Sequence, residues 1–578
     1  MKSSGFSPYQ QKAARFRKRP FVRQEGTFRP RRWLWIALGV IFGLFLLVYL
    51  GLGELRFIAN HYLGLTFFRK HYVIVLQNNY ELRPGGGFIT AYGELTTTLG
   101  FPTHIAFNNS YAIDAFTEVE APAVQQKFLG SDWYEGYTFR DANWEPDFPT
   151  NAQVLKEFYL EKFPEKEVDG MAVVNFSVVE ALVEALGGIE VNGERVEAEE
   201  LFALITHEVN NVDRHDEVAL LNRKAILESL YNELAKKAFW HPFKTRRILE
   251  QALEEKELYA WLESNRLQRR LEARGWTNRF QPPEDQDFMA LNVANLGSKK
   301  ADRYLQKEIH HFIDLTQSIP SVRTELTFYL PGGKNQYLDD YRAYVRLYLP
   351  PGVQLSENLS ESQVLQEEGF TILAHELEFP VGQTRQLVYE YTLPERLWNG
   401  EHYDLNLIKQ SGSELMTRVT VELSPHLQLV SDHFEARENR GLWWGMLEKD
   451  ETLSFEVKPD QFAPFPIEQQ FLDFNTVLID WNEPLAEAVA RDATNYRIID
   501  RNVANAEVND EPRVVYAEVQ GNQVRLEVDG VTRQDLERYT LIIKNLRDAS
   551  GNPTNPEQLE VTLVQRLGEE GQGSEAEE

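Results

Sequence analysis

The chain has 578 residues, 43% of them hydrophobic, no cysteine and a formal charge of −28. That length exceeds one core and predicts three or more domains. The missing cysteines exclude disulfides, thiolate metal sites and thiol nucleophiles, and the acidic balance excludes nucleic acid as an electrostatic partner.

The charge is unevenly spread. Residues 1–32 hold ten Lys or Arg and one acid, Glu25, a basic arm that reads as cytoplasmic. The run WLWIALGVIFGLFLLVYLGLG, 33–53, has 21 residues and no charge. It matches a bilayer core about 30 Å thick at about 1.5 Å per residue. Trp33, Trp35 and Tyr49 lie near its ends, as interfacial rings do. A cleaved signal peptide would have a shorter apolar core and a small-residue cleavage site, whereas Glu54 follows Gly53. The expectation is an uncleaved transmembrane helix at 33–53, with its N-terminus cytoplasmic and its bulk extracytoplasmic. The rest of the chain carries 50 of the 60 Lys and Arg and 87 of the 88 acids, a formal charge of −37.

After a tether at 54–69, HYVIVL (71–76) predicts a buried strand, NNYELRPGGG a turn region, and FITAYGELTTTLG (88–100) a second strand. DGMAVVNF (169–176) predicts a strand, and SVVEALVEALGG a helix with Ser177 as N-cap and Gly187–Gly188 at its end. A return to strand at 189–191 completes an α/β layer pattern, placed at 70–315. Residues 198–275 read as several helices broken near His241-Pro242. From about 322 the texture turns to period-two alternation, predicting a β-sandwich at 316–463 and a second β unit at 464–567. The acidic tail 568–578 reads as disordered.

Two motifs carry candidate chemistry. In Arg83-Pro84-Gly85-Gly86-Gly87 the glycines let backbone N–H groups face an anion, and arginine adds a bidentate donor. A phosphate-binding P-loop is excluded, because no GK[ST] and no helix follow. A plain turn with positive φ and an anion-handling turn both stay open. In FRDANWEPDFP (139–149), Arg140, Asp141, Asn143, Glu145 and Asp147 crowd beside Trp144 and Phe148. Oxygen ligands of this kind suit Mg²⁺, and the aromatics suit sugar stacking. Equally, Asp147 or Thr150 would cap the next helix. Serine-hydrolase and zinc motifs are absent from the sequence, and His310-His311 reads as structural.

LQNNYELRPGGGFITAYG, FRDANWEPDFPTNAQVL and EVDGMAVVNFSVVEALVEALGGIEV resemble, in order, the blocks of the bacterial family domain of unknown function 4012. NLGSKKADRYLQKEI and YRAYVRLYLPPGVQL resemble its later blocks, so the likeness covers about 70–430. VLIDWNEPLAEAVARDATNYRI and YTLIIKNLRDASGNP resemble a bacterial Ig-like domain of the SbsA type. A more distant similarity is to LytR-CpsA-Psr envelope phosphotransferases, which implies a layered α/β sheet outside the membrane. It also implies transfer of polyprenyl-pyrophosphate-linked glycans, aided by arginines and Mg²⁺. The Pro-Arg-Asp motif of those enzymes is replaced here by NNSYAIDAF (108–116), which has Asp114 and no arginine. The resemblance leaves Arg83 and Arg140 as catalytic candidates. Gly85, Gly86, Gly87, Asn143 and Trp144 are ligand-binding candidates, and Glu81, Asp141 and Asp147 are Mg²⁺ ligand candidates. Two functions are expected: a membrane-anchored envelope protein that transfers or binds lipid-linked glycan or cell-wall polymer, or a non-catalytic surface protein that binds glycan or protein.

Overall fold

The computed structural model describes residues 69–565, except 99–100, 114–120, 130–136, 192, 211–216, 298, 357–361, 368, 438, 502–511 and 532–537. The basic arm, the apolar run 33–53, most of the tether and the acidic tail lie outside the described residues. Among the described residues, no helix is long and apolar enough to cross a membrane.

The first layer is a mixed five-stranded sheet. Its strands are β1 (Lys70–Arg83), β2 (Gly86–Thr98), β3 (Phe101–Asn109) and β4 (Gly170–Asn175), joined after the two-stranded hairpin β5 (Ile189–Val191) and β6 (Glu194–Val196) by β7 (Leu258–Leu262). The spatial order is β3-β2-β1-β4-β7, and only β1 and β4 run parallel. The expected strand at 189–191 forms, but it pairs with β6 and never joins this sheet. β1 alternates buried and half-buried positions until its register slips between Asn78 and Leu82. That irregularity lifts Asn79, Tyr80 and Glu81 out of the β2 ladder, as bulges do beside special sites.

Helix Phe148–Lys162 covers the sheet with Phe148, Ala152, Leu155 and Tyr159, an i, i+4, i+7, i+11 stripe. Helix Phe176–Ala185 starts two residues earlier than the Ser177 cap predicts, with Asn175 at the N-cap. The 198–275 region contains helices Ala198–Asn210, Glu217–Trp240, Pro242–Glu254 and Asn265–Glu272, with Pro242 in a first turn that needs no N–H. It also contains β7, whose five residues were hidden by the helical composition around them.

The β-sandwich begins at β8 (Asp287–Asn295), well before the change of texture at 322. Two seven-stranded sheets face each other across a core that includes Val293, Ile309, Leu326, Leu347, Val419 and Leu453. All nine residues of β8 are buried. Met289, Leu291 and Val293 join the sandwich core, while Ala294 joins the core of the α/β layer. A strand shared by two cores loses the half-polar alternation that betrays most sandwich strands. Leu82 of β1 lies in the sandwich core, so the two layers interpenetrate. The final unit packs a five-stranded sheet on a three-stranded one around Trp481, Val477, Leu526 and Leu541.

Candidate functional site at the glycine turn

The turn between β1 and β2 sits where these layers meet. Arg83 is 2% exposed, and all three guanidinium nitrogens have protein acceptors. Nε donates to Asp141 Oδ1 at 2.9 Å and Nη2 to Glu81 Oε1 at 3.1 Å. Nη1 donates to the carbonyls of Asn295 (2.8 Å) and Leu82 (3.2 Å). Burial would pull the Arg83 guanidinium down, but the Asp141 and Glu81 carboxylates outweigh it and hold the pKa above its ordinary value. Burial pushes the Glu81 carboxyl up, against the pull of Arg83 and Lys300.

The three glycines are buried too, and close approach explains them. Gly86 has φ +126°, and a Cβ there would sit 2.3 Å from Gln77 Oε1 and 2.9 Å from the Tyr259 hydroxyl. A Cβ on Gly85 would meet Asn151 Nδ2 at 2.6 Å, and one on Gly87 the Asn78 carbonyl carbon at 2.4 Å. The backbone donors face protein: Gly85 N–H donates to the Asn143 carbonyl at 2.9 Å and Gly87 N–H to Gln77 Oε1 at 3.0 Å. Asn143, fully buried, returns a bond from Nδ2 to the Gly87 carbonyl at 2.7 Å. The motif is a turn clasped by the 139–147 loop, in place of a ring of N–H groups open to an anion.

The remaining candidates part company. Arg140 is half-buried, with its guanidinium 4.0 Å from the centre of the Tyr111 ring. Trp144 is buried and stacked on Tyr344, beneath the guanidinium of Arg346, so its faces are covered by protein. Glu81 and Asp141 flank Arg83 from two sides. Asp147 caps helix Phe148–Lys162 through Thr150 N–H and also accepts from Phe280 N–H at 2.9 Å. The three proposed Mg²⁺ ligands therefore do not gather at a point. Among the described residues, the group of acids close enough to share a cation is Asp460, Glu483 and Asp548, with ligand atoms within 4.8 Å of one another. Burial, with Asp460 and Asp548 nearby, lifts the Glu483 carboxyl to about 8.

Residues the motifs did not reveal complete the junction. The Arg83 and Pro84 carbonyls accept from Gln410 Nε2 and Asn292 Nδ2, both at 3.0 Å. Glu257 accepts from Lys409 Nζ at 2.7 Å, Gly412 N–H at 3.1 Å, Asn175 Nδ2 at 2.8 Å and Ser177 Oγ at 2.8 Å. Burial alone would raise the Glu257 carboxyl, but Lys409 and these donors hold it below its ordinary value. Gln77, Glu257 and Lys409 are scattered over more than 300 positions, and no local spacing links them. The polar run KQSGS at 409–413, directly after a strand, was the one local signal.

The match to a known family falls on this turn. Residues 69–209 match the family described as protein of unknown function (DUF4012). No curated protein resembles the sequence closely enough to count as a match. Among solved structures, Lin1025 from Listeria innocua aligns at 10% identity over 38% of this chain and 84% of its own, with a TM-score of 0.22. TagV of B. subtilis aligns at 12% over 37% and 80%, with a TM-score of 0.21. The N-terminal part of the bacterial S-layer protein SbsC aligns at 16% over 18% and 24%, with a TM-score of 0.15, so the chain spans about a quarter of it. TM-scores this low establish no common fold. The DUF4012 match covers the motif and the helix after β4, while Asn292, Asn295 and Gln410, which grip the motif, lie beyond it.

Proposed function

We propose that this chain is a membrane-anchored, extracytoplasmic cell-envelope protein whose DUF4012 segment is a structural mount for the β domains. In this reading those domains bind glycan or protein, and no phosphoryl group is transferred at the glycine turn. The observation that carries it is the Arg83 guanidinium, held by Asp141, Glu81 and the Asn295 carbonyl. For Arg83 to meet a pyrophosphate it would have to leave two buried carboxylates without its guanidinium, at a cost of about 3–5 kcal/mol. The anchor is supported by the 21-residue apolar run at 33–53 and the ten basic residues before it. The apolar run also makes the lipid bilayer the first partner of the chain.

The test is binding of geranylgeranyl pyrophosphate, with and without Mg²⁺, by the full chain and by its Arg140→Ala variant. The mount reading expects neither protein to bind the lipid saturably. Saturable binding by the full chain, lost in Arg140→Ala without a fall in Tm, would restore the transferase reading with Arg140 as its phosphate contact.

A further inference from the structure

The tip of the hairpin between helices Glu217–Trp240 and Pro242–Glu254 departs from the rest of the molecule in two ways. Its aromatic side chains point outward: Phe239 is 75% exposed, Trp240 72% and Phe243 81%. No other described aromatic side chain is as exposed. Its charge is reversed as well. KKAFWHPFKTRR, 236–247, has five Lys or Arg and no acid, in a chain of net charge −28.

Local structure fixes this tip in place. Pro242 ends one helix and opens the next, so that the rings cluster on a short corner, with Phe239 and Trp240 edge to face at 5.5 Å. Lys237 Nζ donates to the Gly188 carbonyl at 2.6 Å and Lys244 Nζ to the Ala185 carbonyl at 3.4 Å. These two cations close the C-terminal end of helix Phe176–Ala185, where the dipole favours them, and tie the corner to the body. Arg247 is exposed and has no partner among the described residues. Lys236, which is exposed, pairs with the half-buried Glu233 at 3.3 Å, a contact of small value.

Three solvated rings on a rigid corner, ringed by cations, have the chemistry of a peripheral membrane contact. Trp and Phe favour the headgroup boundary, and Lys and Arg favour anionic headgroups. We infer that the 236–247 corner is a second membrane contact, with Phe239, Trp240 and Phe243 inserted at the interface of an anionic bilayer. Charge complementarity selects the occupant: an acidic second copy of the chain offers these cations little apolar surface, whereas an anionic bilayer offers both headgroup charge and acyl chains. This inference takes its bilayer from the anchored reading above, but it has a separate readout.

Because the chain has no cysteine, one introduced thiol gives one label. The full chain carrying His241→Cys is labelled with an environment-sensitive nitrobenzoxadiazole probe and reconstituted in phosphatidylcholine vesicles with or without phosphatidylglycerol. The same label at Val515→Cys, exposed in the last β unit, is the control. The expected result is a blue-shifted emission at position 241, quenched severalfold by doxyl-labelled lipid, greatest with phosphatidylglycerol and missing at 515. Phe239→Ser/Trp240→Ser abolishes the shift without lowering Tm, because both rings face solvent in the folded chain. Lys244→Glu/Arg247→Glu removes the preference for phosphatidylglycerol. A water-like emission at 241 in both vesicle types overturns the inference, as does a blue shift that needs only high protein concentration or a soluble polyanion. Flotation of the chain with vesicles after an alkaline wash reports the 33–53 anchor independently. A chain that floats with label 241 in water refutes the corner alone, and one that fails to float but still shifts on vesicle addition refutes the anchor alone.

Discussion

Replacing Arg83 with methionine keeps most of the buried stem and deletes the charge. Glu81 and Asp141, whose side chains are 11% and 14% exposed, would then face each other without the guanidinium between them. Breaking a buried ion pair from one side costs about 3–5 kcal/mol. The orphaned carbonyl of Asn295 adds about 1 kcal/mol or more. A loss of about 5 kcal/mol lowers Tm by roughly 10 °C in a cooperative unit of a few hundred residues. The deficit has a definite pH dependence. With Arg83 gone, the Glu81 carboxyl, already pushed up by burial, would lose its main counterweight and rise further above its unfolded value. The penalty is then absent below the unfolded values and grows as pH rises through the carboxylate range. Arg83→Met should therefore differ most from the parent near about pH 8 and least near about pH 4. Arg83→Lys keeps a point charge and loses the fork, and should fall between the two. Thermal melts of the purified full chain followed by circular dichroism across that range are the assay. A methionine variant that melts with the parent at pH 8, or whose deficit is the same at every pH, would refute the reasoning.

Other outcomes follow from neighbouring residues. Gly86→Ala, at φ +126° with a contact of 2.3 Å to Gln77 Oε1, should cost about 3 kcal/mol, whereas Gly187→Ala, at φ +72° in open space, should cost about 1 kcal/mol; urea titrations compare them. Glu257 has a lowered folded pKa, so its contribution is present above the unfolded value and is lost as pH falls through the folded one. Glu257→Gln should thus lower Tm at neutral pH and converge on the parent below about pH 4. Glu483 behaves in the opposite sense: with its folded pKa raised to about 8, stability falls as pH climbs from the unfolded value through that point. Glu483→Gln should melt above the parent at pH values beyond about 8, read from the last β unit. A chain ending at residue 280 should show no cooperative melt, because Leu82 and Arg83 would lose the sandwich core and the Asn295 carbonyl.

Much of the fold was legible because local rules agreed. Alternation marked β1, β2 and the late strands; Gly187–Gly188, at φ +72° and +74°, ended a helix as expected; and Pro242 opened one. β7 and β8 were hidden for opposite reasons. β7 is short and embedded in helical composition, and β8 is buried on both faces and so carries no period. At the site, the sequence showed that Arg83 and the glycines were special but not why. Their partners Asn295 and Gln410 lie 212 and 327 positions from Arg83, and the same residue types would suit an anion loop or a tight junction. The two readings differ only in whether the donors face protein or solvent, which is a property of tertiary packing.

Hydrogen–deuterium exchange at Gly85 and Gly87, with and without a polyprenyl pyrophosphate, asks directly which way those donors face. Bonds to the Asn143 carbonyl and to Gln77 Oε1 inside a buried turn predict slow exchange that the lipid leaves unchanged. Fast exchange in the free protein that slows when the pyrophosphate is added would mean that the turn is open to an anion, and would contradict the structural mount.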